Sequence, residues 1–312
     1  MEIRGTTRLI ALFGDPVAHS LSPAMHNAAF AKHGLDFAYV PLRVRPADLA
    51  SAVEALRRFD FLGANVTLPH KQAVLPLLDE VSEISTTLGA VNTIVNRNGK
   101  LLGTTTDPEG FLAGFREAGH SFAGHSVAIL GAGGSARTLA YALLLTDSPA
   151  RVLILARDPQ KARRLSEEIA ARLGNGAMGS AAEGLARKIE SAGLADYSLH
   201  KDGIDVVVNA TPVGMGPDAE SSPLNPDDLV AGQVVYDIVY VPERTRLLRE
   251  ARARGLETVE GLGMLVHQGA AAFRLWTGLA PDPELLFQAA RAQLRAPTPA
   301  PSSPDSRGTG KN

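Results

Sequence analysis

The chain has 312 residues, enough for two domains of ordinary size, and 45% apolar with 21% charged residues is the balance of a globular protein with sizeable cores. A formal net charge of −2 gives no electrostatic case for a nucleic-acid or anionic-membrane partner. With no cysteine there can be no disulfide, thiolate-bound metal or cysteine nucleophile; with no apolar leader and no apolar run of ~20 residues, a soluble cytoplasmic protein is expected.

Residues 8–13 read as a buried strand closed by Gly14-Asp15-Pro16. Ser22-Pro23 reads as an N-cap and a first-turn proline, opening a helix to about His33. A strand is expected at 37–42, then a helix from Pro46 whose Leu49, Val53 and Leu56 keep helical spacing. A short strand follows at 61–67 and helix over 72–88. Residues 91–95 and 101–104 form a strand pair across Asn98-Gly99, a strong hairpin signal. This alternation predicts a mostly parallel sheet covered on both faces.

A second alternation starts near 126, with strands at 126–130, 151–155, 204–208 and 233–239 and helices at 134–146 and 159–173. The Gly/Ala/Ser-rich stretch 174–203 reads as a helix-bearing connection with one short strand. Helix 245–254 and strand 256–259 complete the unit. Helices at 262–276 and 284–294 are expected to return to the first unit. The predicted fold is therefore α/β with a discontinuous substrate domain, 1–107 and 265–295, around a Rossmann domain, 108–264. The Pro/Ser/Gly-rich tail 296–312 is expected to be disordered.

Gly131-Ala132-Gly133-Gly134-Ser135-Ala136 stands directly after a strand and before a helix. Gly131 permits the tight turn, Gly133 allows backbone to approach a pyrophosphate, and Ala136 allows close helix–strand packing. The helix N-terminus offers free N–H groups and partial positive charge to phosphates. A dinucleotide-binding turn is expected. At the end of the next strand, Ala156-Arg157-Asp158 lacks the carboxylate that would hold a ribose 2′-hydroxyl in the usual place, and Arg157 and Lys161 suit a 2′-phosphate. This favours NADP. Asp158 argues the other way and keeps NAD open; Lys161 also reads as an ordinary solvated helix residue.

Further short blocks accompany the turn. They are Gly14-Asp15-Pro16-Val17-Ala18-His19-Ser20-Leu21-Ser22-Pro23, Asn65-Val66-Thr67-Leu68-Pro69-His70-Lys71, Gly89-Ala90-Val91-Asn92-Thr93 and Thr106-Asp107. Downstream stand Asn209-Ala210-Thr211-Pro212, Asp237-Ile238-Val239-Tyr240 and Gly261-Leu262-Gly263-Met264-Leu265-Val266-His267-Gln268. In content and order these resemble the shikimate dehydrogenase family, which includes shikimate/quinate dehydrogenases, over essentially residues 8–290.

The resemblance implies reversible NADP-linked reduction of 3-dehydroshikimate to shikimate in the aromatic amino-acid (chorismate) pathway, in a monomer or homodimer. It implies that Ser20, Ser22 and Tyr240 hold the substrate carboxylate, and that Asn65, Thr67, Asn92, Asp107 and Gln268 surround the ring hydroxyls. Lys71 matches the catalytic lysine, the 131–135 turn and Arg157 match the NADP site, and Ile238 and Gly261 match positions near the nicotinamide. Two departures stand out. Thr105 and Pro108 flank the Thr-Asp pair where the family usually has Asn and Gly, and Ala156-Arg157-Asp158 replaces the common Asn-Arg-Thr. They motivate a quinate/shikimate dehydrogenase using NAD as the alternative; a non-catalytic dinucleotide-binding regulator is a third.

Oxidising a secondary alcohol needs a hydride acceptor and a proton acceptor. The Lys71–Asp107 pair is assigned the proton, with Lys71 the better base. Taken singly, each residue has an ordinary alternative: a surface lysine for Lys71, a turn or helix start for Asp107, an N-cap for Ser22, and turn residues for Asn65 and Asn92. Tyr240 also reads as half-buried packing, and Gln268 as bonded to a backbone carbonyl. His19, His26, His70 and His267 lack metal-ligand spacing, so no metal is expected.

Overall fold

The computed structural model describes residues 2–174 and 184–296. The tail beyond Ala296 and residues 175–183 of the weakly patterned connection lie outside the described residues.

The first sheet contains β1 (Arg8–Gly14), β2 (Phe37–Arg43), β3 (Gly63–Val66), β4 (Glu80–Val81), β5 (Thr93–Arg97) and β6 (Lys100–Thr104), in the order β2-β1-β3-β5-β6-β4. It is mostly parallel, as expected, but mixed: β5 alone runs the other way, because the β5–β6 hairpin turns the chain back and makes both ladders of β5 antiparallel. Helix α1 (Ser22–Lys32) covers one face, where Met25, Ala29 and Phe30 are buried; α2 (Leu49–Arg58) buries Leu49, Val53 and Leu56 on the other.

The expected helix over 72–88 is not formed. Pro76 has no N–H for a helix interior, and the chain makes a 3₁₀ turn at Leu75–Leu77, the short β4, and then α3 (Glu83–Leu88). Ser82 caps α3 by accepting from Ser85 N–H at 3.3 Å.

The second sheet contains β7 (Ser126–Leu130), β8 (Arg151–Ala156), β9 (Ile189–Gly193), β10 (Val206–Asn209), β11 (Val234–Asp237) and β12 (Glu257–Glu260), ordered β12-β11-β10-β7-β8-β9. All its ladders are parallel. The order reverses between β7 and β10, and in such sheets ligands bind beyond the strand C-termini at that reversal. Helices α4 (Asp107–Glu117), α5 (Gly134–Ala142), α6 (Pro159–Gly174), the short α7 (Tyr197–His200) and α8 (Arg246–Ala253) accompany it. The expected helix to 146 changes character after Ala142, where a π-helical turn spans Leu143–Asp147. No described helix is long and apolar enough to cross a membrane.

Helices α9 (Leu262–Thr277) and α10 (Pro283–Arg295) do return to the first sheet. Val266, Phe273, Trp276 and Leu286 join its core, and Trp276 Nε1 donates to Ile94 O at 2.9 Å. Helix α4 has no counterpart in the sequence reading. Its Phe111, Leu112 and Phe115 enter the second core, while Gly110 and Gly114 meet α9. A Cβ on Gly110 would stand 2.6 Å from Met264 O, and one on Gly114 2.8 Å from Met264 N, so the two helices cross with backbone in contact.

Candidate active site

Lys71 lies in the loop after β3, where its carbonyl accepts from Val91 N–H at 2.8 Å. Asp107 is the first residue of α4, and a helix N-terminus favours its negative charge. Lys71 Nζ donates to Asp107 Oδ2 at 2.6 Å, so residues 36 apart in sequence form one pair. The Asp107 side chain is 11% exposed and that of Lys71 32%, which leaves the ammonium reachable from the cleft while the carboxylate stays fixed.

Asn92 supports this pair. Its Nδ2 donates to Asp107 Oδ1 at 2.8 Å and Thr106 Oγ1 at 3.0 Å, with Gln268 Oε1 at 3.3 Å. Its Oδ1 accepts from Thr106 N–H at 2.9 Å and Thr93 Oγ1 at 2.7 Å. Gln268 in turn donates to Leu265 O at 2.9 Å, the backbone partner its ordinary reading expects. Asn65 spends its amide protons on Asn92 O and Thr93 Oγ1, both at 3.0 Å, and its Oδ1 accepts from the Tyr39 hydroxyl at 2.8 Å. Thr67 closes this side of the cleft, its methyl group against Gly14.

At the other end, Ser22 does not cap α1. The cap position is Leu21, in helical conformation, and Ser20 Oγ accepts from Ser22 N–H at 3.2 Å. The Ser22 hydroxyl lies beside the Tyr39 hydroxyl. Tyr240 enters from the loop after β11 and packs on the first core beside Tyr39. Burial raises both phenols above their usual range, so each stays a donor at neutral pH. Tyr39 thus stands between Ser22 and Tyr240, and Ser20 is bonded to Ser22.

The cofactor-side residues gather at the C-terminal edge of the second sheet. Gly131 has φ +114°, and a Cβ there would approach Thr211 Cγ2 to 3.0 Å, so only glycine fits the turn. Gly133, Gly134 and Ser135 are exposed at the start of α5, beneath Ala132, and a Cβ on either glycine would meet open space. Arg157 and Lys161 are exposed, and no described side chain engages either. Asp158 is occupied: its Oδ1 accepts from Gln160 N–H at 3.0 Å at the start of α6. Its carboxylate caps that helix, which gives Asp158 a structural role independent of a ribose hydroxyl. A free helix N-terminus, open glycines and two uncommitted cations fit a phosphorylated dinucleotide.

Ile238 is half-buried after β11 and packs on the second core. Gly261 is a glycine because of close packing, since a Cβ would lie 2.5 Å from Ile238 O. Asp237 is fully buried and holds this corner together by accepting from Asn209 Nδ2 at 2.9 Å, Val239 N–H at 3.0 Å and Thr245 Oγ1 at 2.7 Å. Burial nonetheless pushes its carboxyl up to about 6. The histidines lie apart: His26 is buried among aromatic rings, His70 bonds Val44 O at 2.7 Å, and His267 meets Glu117 at 3.0 Å. Among the described residues no group of His, Asp and Glu is arranged to hold a metal. Tyr39 and Thr93 are the site residues the sequence reading did not assign.

Comparison with known proteins identifies the family. The family of the shikimate dehydrogenase substrate binding domain matches residues 12–94, and that of the shikimate 5′-dehydrogenase C-terminal domain matches 261–291. Shikimate dehydrogenase (NADP(+)) of Salinibacter ruber is 46% identical over 295 residues, spanning 94% of this chain and 100% of that protein. The crystal structure of shikimate 5-dehydrogenase from Thermus thermophilus, in complex with NADP(H) and shikimate, is 38% identical, with TM-score 0.80 over 92% of this chain and 99% of that one. Quinate dehydrogenase from Corynebacterium glutamicum, in complex with NAD, is 36% identical, with TM-score 0.82 over 92% and 99% of the two chains. The chain belongs to the shikimate dehydrogenase family.

Proposed function

We infer that this protein is an NADP-dependent shikimate dehydrogenase in which Lys71 and Asp107 carry the proton between protein and substrate. The observation that carries the reading is the 2.6 Å Lys71–Asp107 contact, in a chain that also exposes Arg157 and Lys161 beyond the dinucleotide turn. When bound, NADP supplies or accepts the hydride. In the reducing direction Lys71 donates its proton to the carbonyl oxygen of 3-dehydroshikimate; in the oxidising direction it accepts the hydroxyl proton. Asp107 holds the ammonium and orients the reacting oxygen, with Asn92 fixing the carboxylate from behind. Ser20, Ser22 and Tyr240 bind the substrate carboxylate. This sets the ring's orientation, and Thr67, Gln268 and the Asn65–Asn92 side of the cleft complete the pocket. We place the substrate domain at 1–107 and 265–295 and the NADP domain at 108–264, so each crossing falls in a helix, α4 or α9.

A kinetic panel tests this. Purified protein with shikimate and NADP should develop the reduced-nicotinamide absorbance, with higher kcat/KM than for quinate or for NAD. No turnover under any combination would sink the enzymatic reading, and a preference for quinate with NAD would replace its substrate and cofactor.

A further inference from the structure

The hydrogen bonds behind Asp107 have a direction that backbone atoms impose. Asn92 O can only accept, so Asn65 must present Nδ2 to it and Oδ1 to Tyr39. The Tyr39 hydroxyl therefore donates to Asn65. Thr106 N–H can only donate, so Asn92 must present Oδ1 to it and to Thr93, leaving Nδ2 for Asp107. The Thr93 hydroxyl is then forced to donate to Asn92 and to accept from Asn65 Nδ2.

We propose that Tyr39 and Thr93 are positioning residues for the proton-transfer pair, through a one-way chain Tyr39–Asn65–Thr93–Asn92 that ends on the Asp107 carboxylate facing Lys71. The proposal rests on the role assigned above to Lys71 and Asp107. Every donor in the chain points toward Asp107 Oδ1, and aligned hydrogen bonds in a dry interior polarise and strengthen one another. Thr93 is fully buried and Tyr39 is 2% exposed, so water does not compete for these bonds. The chain also spans the pocket. Its first member touches the Ser22 hydroxyl at the carboxylate end, and its last holds Asp107 at the reacting end. The Tyr39 ring is fixed by stacking on His26, with centroids 4.5 Å apart.

Thr93→Val keeps the side-chain shape and removes both hydrogen bonds, while Thr93→Ser restores them. With shikimate and NADP, Thr93→Val should lower kcat about 10-fold, because Asn65 Nδ2 and Asn92 Oδ1 each lose one of their buried hydrogen bonds beside the pair. Its KM for shikimate and its dissociation constant for NADPH, followed by fluorescence titration, should stay within about 2-fold, and Thr93→Ser should recover most of kcat, since the hydroxyl alone carries the effect. Tyr39→Phe, at the far end, should cost less, about 3-fold in kcat. An unchanged kcat in Thr93→Val, a loss confined to KM, or no recovery in a folded Thr93→Ser would each overturn the proposal. Should Thr93→Val fail to fold, Tyr39→Phe decides: a kcat equal to that of the unaltered protein overturns it. An inactive unaltered protein is a separate result that removes the functional reading itself.

Discussion

Asn92 on the substrate side has each of its amide atoms paired with a named partner, whereas Arg157 and Lys161 on the cofactor side stand exposed with no described partner. The first half of the cleft is preorganised by buried hydrogen bonds; the second is an open, positively charged landing surface on a rigid turn. The contrast follows from what each half handles. A proton must be placed to within a hydrogen-bond length, which fits the locked pair proposed to carry it. A charged dinucleotide must arrive and leave, so its contacts remain free until it does. Exposed cations lose little on waiting in water, while an unpaired buried amide costs ~1–3 kcal/mol.

The comparison is broken most severely at Lys71. Lys71→Ala should reduce kcat at least ~100-fold with a modest change in substrate affinity, measured by steady-state kinetics, because only the proton step loses its carrier. On the open side, Arg157→Ala should leave kcat nearly intact and raise KM for NADP ~10-fold with little effect on NAD, the scale of one charged hydrogen bond. If NAD suffers equally, Arg157 does not read the 2′-phosphate.

Each half also buries an ionisable group whose pKa burial shifts, His26 in one and Asp237 in the other, and the two act on stability with opposite sign. Burial lowers His26 from 6.5 to about 3, so its contribution is present above 6.5 and lost as pH falls toward about 3. Melting curves of His26→Phe should therefore lose a slope of up to ~1.4 kcal/mol per pH unit across that window. Asp237 is raised from 3.8 to about 6, so its contribution is complete below 3.8 and lost as pH rises through about 6. Asp237→Asn should remove this smaller, opposing slope; a pH dependence of stability identical to that of the unaltered protein would refute the assignment.

What could be read in the sequence was whatever local rules decide. The turn at 131–135 needs only a strand, its glycines and a helix, and these are adjacent in the chain. Asp158 could have been read too, since Asp before Pro159 is an N-cap signature, and the structure uses it as one. Ser22 shows the limit of the same rule, because Ser20 supplies the side chain that meets the first helical N–H. Helix α4 was missed because Gly110 and Gly114 weaken helix propensity, and their reason is a neighbour more than 100 residues away. Tyr39 reads as an alternating core residue of a strand. Its hydroxyl acquires a partner only when β1 aligns β2 and β3 on its two edges. Lys71 and Asp107 were identified by family resemblance, not by any local pattern.

Helices α4 and α9 carry Asp107 and Gln268, and Gly110 and Gly114 bring their backbones into contact. A Cβ on either glycine would stand under 3 Å from α9 backbone, so the spacing between the helix that begins with Asp107 and the helix that carries Gln268 is set by two absent side chains, and a single methyl group at either position would wedge the two halves of the molecule apart.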